Sequence, residues 1–106
     1  MAKQKRTVFY LSDRAGITAE TLGHSLLTQF DGIEWEIINV PFLDDLEKVQ
    51  AVLVQINHAT EHDGHRPLVF STLLKPEILE VIKRTNCRVF DFFETFINPI
   101  EQELNQ

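Results

Sequence analysis

The sequence predicts an α/β domain that spans residues 1–106, with a four-stranded parallel sheet in the order 2-1-3-4 and helices on both faces. Two observations support this prediction. Short segments rich in β-branched and aromatic residues alternate with amphipathic segments along the whole chain, and the amphipathic segments carry helix-capping signals. A βαβαβαβα order favours parallel strands joined by right-handed crossovers. A length of 106 residues fits one such domain.

The strands are predicted where β-branched and aromatic residues cluster. The first cluster is apolar almost throughout, which is typical of a strand covered on both faces, whereas the second begins with an alternating pattern. Lys3, Lys5 and Arg6 precede the first strand, and we expect them to form a frayed terminus. The predicted strands are Thr7–Ser12, Ile33–Val40, Leu68–Thr72 and Arg88–Phe92.

The first two helices are predicted from their apolar spacing and their amino-terminal residues. The first covers residues 18–30, with Thr18 as its N-cap and an inner face made of Leu22, Leu26, Leu27 and Phe30. In the second, Asp44 and Glu47 have the spacing of a capping box. Its apolar positions, which repeat at intervals of three and four residues to about His62, are Leu46, Val49, Leu53 and Ile56.

The last two helices are shorter. Pro76 suits the first position of the third helix, and Lys83 and Arg84 lie in its last turn, where the helix dipole favours cations. Asn98 and Glu101 have the spacing of a second capping signal, which predicts a short terminal helix.

Composition and charge exclude several classes of function. Sixteen acidic residues outnumber ten basic ones, which argues against nucleic acid as a partner because its phosphates are bound by Lys and Arg. No apolar run approaches the roughly 20 residues that a membrane span requires, so we expect no membrane partner. Cys87 is the single cysteine, so no disulfide forms within the chain. A reducing compartment fits this composition, and we expect the cytoplasm.

In open parallel sheets, ligands bind beyond the carboxyl ends of the strands, next to the point where the strand order reverses. The loop after the first strand carries a hydroxyl, a carboxylate and a guanidinium at this place. Ser12, Asp13 and Thr18 are therefore candidate catalytic residues, and Arg14 and Gly16 are candidate anion contacts. The spacing equally allows a structural interpretation, in which the loop only turns the chain and caps a helix. The neighbouring candidate loops are 41–45, 71–75 and 91–94.

The sequence has no nucleotide-binding glycine motif, and its possible metal-binding histidines lie away from the predicted ligand edge of the sheet. None of the four glycines belongs to a glycine-rich loop that ends in Lys, or to a dinucleotide fingerprint, so we expect no cofactor bound by this chain. His58, His62 and His65 lie near a helix end at the amino edge of the sheet. We interpret them as solvated side chains and predict no metal site. We expect His24 to be a surface or packing residue and Cys87 to be a buried, inert thiol.

Three stretches of the chain are similar to one bacterial family. They are Tyr10–His24 (YLSDRAGITAETLGH), Arg66–Ser71 (RPLVFS), and Asp91–Phe93 leading into Asn98–Ile100. They resemble the amino-terminal part of the regulatory proteins of phosphoenolpyruvate synthase and pyruvate, phosphate dikinase. The resemblance covers nearly the whole chain but well under half of a family member.

The resemblance implies a bifunctional enzyme. The family uses ADP to phosphorylate a threonine of its target dikinase, and uses inorganic phosphate to remove that group as pyrophosphate. Its phosphate-binding loop belongs to a carboxyl-terminal domain, so we expect this chain to be inactive alone. The chain has Ala15 where the family usually has Thr, which argues against a hydroxyl function at that position.

Two alternatives lie outside catalysis. The chain could be a stand-alone flavodoxin-like module that holds an anion or effector on residues 12–18, or a docking domain that recognises the dikinase. We also expect self-association or a covered edge at the fourth strand, because an apolar edge strand invites pairing.

Overall fold

The computed structural model describes residues 3–106. Strands and helices alternate as the sequence predicts, and a π-helical turn at Phe93–Ile97 precedes the last helix. The strands are β1 (Gln4–Leu11), β2 (Ile33–Val40), β3 (Leu68–Ser71) and β4 (Arg88–Asp91). The helices are α1 (Ile17–Leu27), α2 (Leu46–Asp63), α3 (Pro76–Lys83) and α4 (Asn98–Leu104).

The sheet is parallel throughout and has the order β2-β1-β3-β4, which confirms the prediction. The strand β1 pairs with β2 along its whole length and with β3 through Val8–Leu11. The reversal of strand order therefore falls between β1 and β3, and the loops that follow these strands meet at the carboxyl edge.

The two faces of the sheet are covered by different helices. On the face of α2 and α3, here called the closed face, the fully buried Phe9, Val69 and Ile82 belong to a cluster of buried apolar residues. On the face of α1, here called the open face, Tyr10 and Phe70 belong to a smaller cluster. Helices on both faces confirm the predicted layers.

The basic residues before the first strand are more ordered than expected. Gln4, Lys5 and Arg6 extend β1 instead of forming a frayed terminus, while Met1 and Ala2 lie outside the described residues. Lys5 is the register partner of Glu34 in β2. Opposite charges on adjacent strands favour the pairing, which explains the longer strand.

Two details of the predicted helices are wrong. The N-cap of α2 is Asp45, whose carboxylate accepts a hydrogen bond from the Lys48 backbone N–H at 2.9 Å, one residue later than predicted. Asp44 instead pairs with the Lys48 ammonium at 3.0 Å. The predicted inner face of α1 is right for Leu27 and the partly buried Leu22 but wrong for Leu26 and Phe30, which are exposed. Ala19 and Gly23 are buried in their place, because small residues let the helix approach β1 closely.

The predicted cap at Asn98 is wrong, because Asn98 is the first residue of α4 and its side chain does not cap the helix. Asn98 is itself helical, and its N–H bonds the Phe93 carbonyl in the π turn. The amino end of this helical segment is capped by Asp91, whose carboxylate accepts a hydrogen bond from the Glu94 N–H at 3.0 Å. Pro99 has no N–H to donate and its ring crowds the preceding turn, which gives a physical reason for the wider π turn before it.

Candidate functional site

A cavity of ≈ 480 Å³ opens at the carboxyl edge of the sheet, between the β1–α1 loop and the segment after β4. This volume lies in the range of small-molecule sites. All five candidate residues of the β1–α1 loop line it, together with residues from two of the neighbouring loops. The lining residues are Ser12, Asp13, Arg14, Ala15, Gly16, Ile17, Thr18, Thr72, Leu74, Phe92, Phe93 and Ile97.

Ser12 is buried and shapes the loop. Its hydroxyl oxygen accepts a hydrogen bond from the Arg14 N–H at 3.0 Å, a short turn in which a serine replaces a backbone acceptor. Ser71, at the register position beside Leu11, does the same for the Leu73 N–H at 3.1 Å. Each hydroxyl still has a proton to donate, so Ser12 has a structural role and remains a candidate donor to a ligand.

The backbone of the loop is fixed by its neighbour. The Phe42 N–H donates to the Arg14 carbonyl at 2.9 Å, and the Leu43 N–H donates to the Ser12 carbonyl at 2.8 Å. The loop after β2 therefore supports the site from outside, although it contributes no lining residue. Asp13 between these anchors is half-buried and Arg14 is exposed, so both side chains are free to face a ligand.

The helix α1 begins differently from the prediction. Its N-cap is Gly16, and no side chain caps it, so the prediction that Thr18 caps this helix is wrong. Gly16 has φ +83°, and a Cβ there would lie 3.3 Å from Asn39 Oδ1. Glycine permits both the left-handed turn and the close approach, and this starts the helix before Thr18 is reached. The exposed Thr18 keeps its hydroxyl on the cavity wall.

Two structural features near the cavity were not found from the sequence. Phe42 has φ +55° and is 55% exposed, which is unusual for a bulky side chain. Strained, exposed residues of this kind concentrate at functional surfaces. Ile97 lines the cavity because the π turn carries it there, and no sequence pattern signalled that turn.

Electrostatics near the site are mild. Burial of the Tyr10 hydroxyl, with a smaller effect of the Glu20 carboxylate, raises the pKa of that phenol. The hydrogen bond from Lys48 lowers the pKa of the exposed Asp44 carboxyl. Neither group lines the cavity, so their perturbed pKa values identify no acid–base pair there.

The histidines lie away from this cavity, as their sequence positions predict. His58 and His62 line a second cavity of ≈ 410 Å³ against β1 and β2, with ring centroids 6.2 Å apart. His65 instead lies 3.4 Å from the Gln4 side chain. Among residues 3–106, no three His, Cys, Asp or Glu side chains are grouped so as to hold a metal ion. The absence of a metal site stays a prediction.

Cys87 is buried on the closed face, and its thiol contacts the Ile82 carbonyl at 3.4 Å. Burial raises the pKa of this thiol to about 11, although Arg66 opposes the shift. The thiolate, which is the reactive form, is therefore scarce at neutral pH. Across the described residues, no helix has the length and apolar character needed to cross a membrane.

Comparisons with known proteins give consistent matches. A family model described as kinase/pyrophosphorylase matches residues 8–106. A relative from Nitrosomonas europaea is 59% identical over 102 residues, which are 96% of this chain and 37% of the relative. A relative from Marinobacter nauticus is 52% identical over 101 residues, 95% of this chain and 37% of the relative.

A third relative, from Alkalilimnicola ehrlichii, is 51% identical over 104 residues, 98% of this chain and 38% of the relative. All three relatives carry the name phosphoenolpyruvate synthase regulatory protein. These matches confirm the resemblance found in the sequence. The chain spans little more than a third of the length of these relatives.

Proposed function

This chain belongs to the kinase/pyrophosphorylase family, and we propose that it forms the amino-terminal part of a regulator of phosphoenolpyruvate synthase or pyruvate, phosphate dikinase. The regulator is a bifunctional enzyme. It transfers a phosphoryl group from ADP to a threonine hydroxyl of the target, which leaves AMP. It also transfers that group from the phosphothreonine to inorganic phosphate, which releases pyrophosphate and restores the hydroxyl. The family match over residues 8–106 carries this proposal.

The nucleotide binds outside residues 1–106 in this proposal. Phosphoryl transfer requires a cradle of backbone N–H groups and cations around the phosphates. The sequence has no glycine-rich loop ending in Lys, so this chain lacks the usual form of that cradle. The carboxyl-terminal domain expected for the family supplies it, and the cytoplasm remains the expected location.

The contribution of this chain is to position the acceptor. In the proposal, the target threonine enters the cavity at the carboxyl edge of β1, where the Asp13 carboxylate accepts a hydrogen bond from its hydroxyl. Ser12 and Thr18 donate to the phosphothreonine oxygens, and Arg14 offsets their charge. The hydrogen bonds from Phe42 and Leu43 hold the backbone of this loop, so the groups need little reorganisation.

A chimeric regulator tests the proposal. This chain replaces the matching 102 residues of the Nitrosomonas europaea relative, and the product is incubated with phosphoenolpyruvate synthase and ADP. We expect mass spectrometry to find a phosphothreonine on the synthase and AMP in equal amount. Subsequent addition of inorganic phosphate should remove that phosphate and release pyrophosphate.

The controls are the 106-residue chain alone and the rest of the relative alone, and neither should transfer phosphate at a rate near that of the chimera. A folded chimera without either activity, beside an active parent relative, would refute the proposed role of this chain. Activity of the 106-residue chain alone would refute the proposed location of the nucleotide.

A second candidate function is a module that holds an anionic effector. The uncapped amino end of α1 and the exposed Arg14 border the same cavity, and free helix N–H groups favour anions. A ligand that binds only the folded state raises its melting temperature. Stabilisation of this chain by phosphate but not by chloride, with an inactive chimera, would favour this function over catalysis.

A further inference from the structure

The helix α4 and the π turn before it carry an apolar stripe that the rest of the described chain leaves about half exposed. The stripe consists of Phe96, Ile97, Ile100 and Leu104, whose intervals of one, three and four residues place them on one side of the helical segment. These side chains are between 40% and 59% exposed, and no residue of α4 is buried. Its only extensive contact within residues 3–106 is with the preceding π turn.

A helix of this kind requires a partner surface. Even together, the π turn and α4 form a segment of residues 93–104 that is too short to be more than marginally stable in water by propensity alone. Packing of an apolar face supplies most of the stability of protein helices. The stripe therefore predicts a surface that covers it when the helix is fully formed.

Charge indicates what kind of surface this is. From residue 89 onward the chain contains Asp91, Glu94, Glu101 and Glu103 but no Lys or Arg. A second copy of this chain, with its net charge of −6, would place an acidic helix against an acidic body. An apolar groove bordered by Lys or Arg fits the stripe better.

The relatives indicate where such a groove is found. They match this chain over only 37–38% of their length, so most of each relative lies outside the matched part. The resemblance places that remainder after the part matched here, which is the end where α4 lies. We propose that the stripe is the docking surface for this remainder of the family protein. The docking does not depend on the catalytic role proposed above.

The stripe is adjacent to the candidate site. Ile97 belongs both to the stripe and to the wall of the cavity that contains Asp13. A domain that packs on Ile97 and Ile100 therefore lies beside the β1–α1 loop. The stripe thus sets the position of the remainder relative to that loop.

Hydrogen exchange tests this directly. The amides of residues 96–106 are compared between the 106-residue chain and the chimera with the Nitrosomonas europaea remainder. We expect fast exchange in the chain alone and at least about tenfold slower exchange in the chimera, with the amides of α2 unchanged. Equally fast exchange in both proteins would overturn the proposal, whether or not the chimera is active.

A pair of variants on α4 locates the contact. Ile100→Glu should return these amides to fast exchange in the chimera, whereas Gln102→Glu, which adds the same charge on another side of the helix, should leave them slow. Neither change should alter the melting temperature of the 106-residue chain, which shows that folding is intact. Equal effects of the two variants would overturn the proposal. Self-association of the chain alone that Ile100→Glu abolishes would also overturn it, since a second copy would then be the occupant.

Discussion

The closed and open faces of the sheet differ in how completely helices cover them. On the closed face, α2 and α3 enclose twelve buried residues, whereas the cluster on the open face has six. The open face leaves a groove of ≈ 340 Å³ beside Phe30, Trp35 and Phe90, and the Trp35 Nε1–H has no hydrogen-bond partner in the described chain. The difference indicates that the closed face supplies stability and that the open face, with the carboxyl edge, is where binding surfaces remain.

A pair of Ile→Ala variants tests that division most strongly. Ile82 is fully buried on the closed face and Ile100 is 52% exposed on α4. Ile82→Ala should lower the free energy of unfolding by about 2–5 kcal/mol, because it leaves a cavity in a packed cluster. Ile100→Ala should change it by less than about 0.5 kcal/mol. Urea unfolding of the two variants measures both values, and similar losses would contradict the division.

The rate of alkylation of Cys87 measures how accessible the closed face is to a reagent in solution. With a pKa of about 11 in place of 9.0, the folded thiol has roughly 100-fold less thiolate at pH 8 than the unfolded thiol, and burial blocks access as well. Because the folded pKa is the higher one, the thiol's contribution to stability is full below pH 9 and is lost as the pH rises towards 11. Iodoacetamide labelling at pH 8 should therefore be slow in buffer and fast in urea. Fast labelling of the folded chain would show that this face opens readily.

Gly23 lies where the helix α1 packs tightly on the open face of the sheet. A Cβ on Gly23 would lie 2.4 Å from Tyr10 Cε1, and Tyr10 is buried. Gly23→Ala should destabilise the chain by about 1–3 kcal/mol through overpacking, although Gly→Ala in a helix is ordinarily stabilising. Ser25→Ala, on the exposed side of α1, is the control. Thermal unfolding that shows a gain in stability for Gly23→Ala would mean that α1 is loosely held.

The amino ends of α2 and α1 should respond differently to substitution, with smaller changes in the free energy of unfolding than those above. Asp45→Ala removes the N-cap of α2 on the closed face and should cost about 1 kcal/mol. Thr18→Ala should cost close to nothing, because Gly16 and not Thr18 begins α1. Chemical denaturation of both variants decides the matter. If Thr18→Ala lowers the free energy of unfolding as much as Asp45→Ala does, then Thr18 caps α1 after all, contrary to the structure.

The sequence predicts the fold better than its local details. Alternating segments and the apolar character of Thr7–Leu11 are sufficient for the strand order, because a central parallel strand is covered on both faces. The predictions that Thr18 and Asn98 are N-caps were wrong, because nearby residues take the same position at the helix end. Gly16 turns the chain earlier, and Asp91 caps a segment that the π turn makes continuous with α4.

The position of the cavity was predicted, but two structural features around it were not. The carboxyl ends of β1, β3 and β4 bring Asp13, Thr72 and Phe92 to one cavity, as the strand order requires. Ile97 lines the cavity only because of the π turn. Phe42, in the supporting loop after β2, adopts its left-handed conformation through tertiary hydrogen bonds. Neither feature has a local sequence signal.

Asp13→Ala in the chimeric regulator tests the central claim, that the β1–α1 loop serves function while the closed face supplies stability. Asp13 lines the cavity and is only half-buried. The variant should lower phosphorylation or dephosphorylation of the dikinase at least about tenfold, some 1.4 kcal/mol of transition-state stabilisation. Its melting temperature should stay within a few degrees of the parent. Full activity together with a sharp drop in melting temperature would show that Asp13 is a structural turn residue, and would contradict the account.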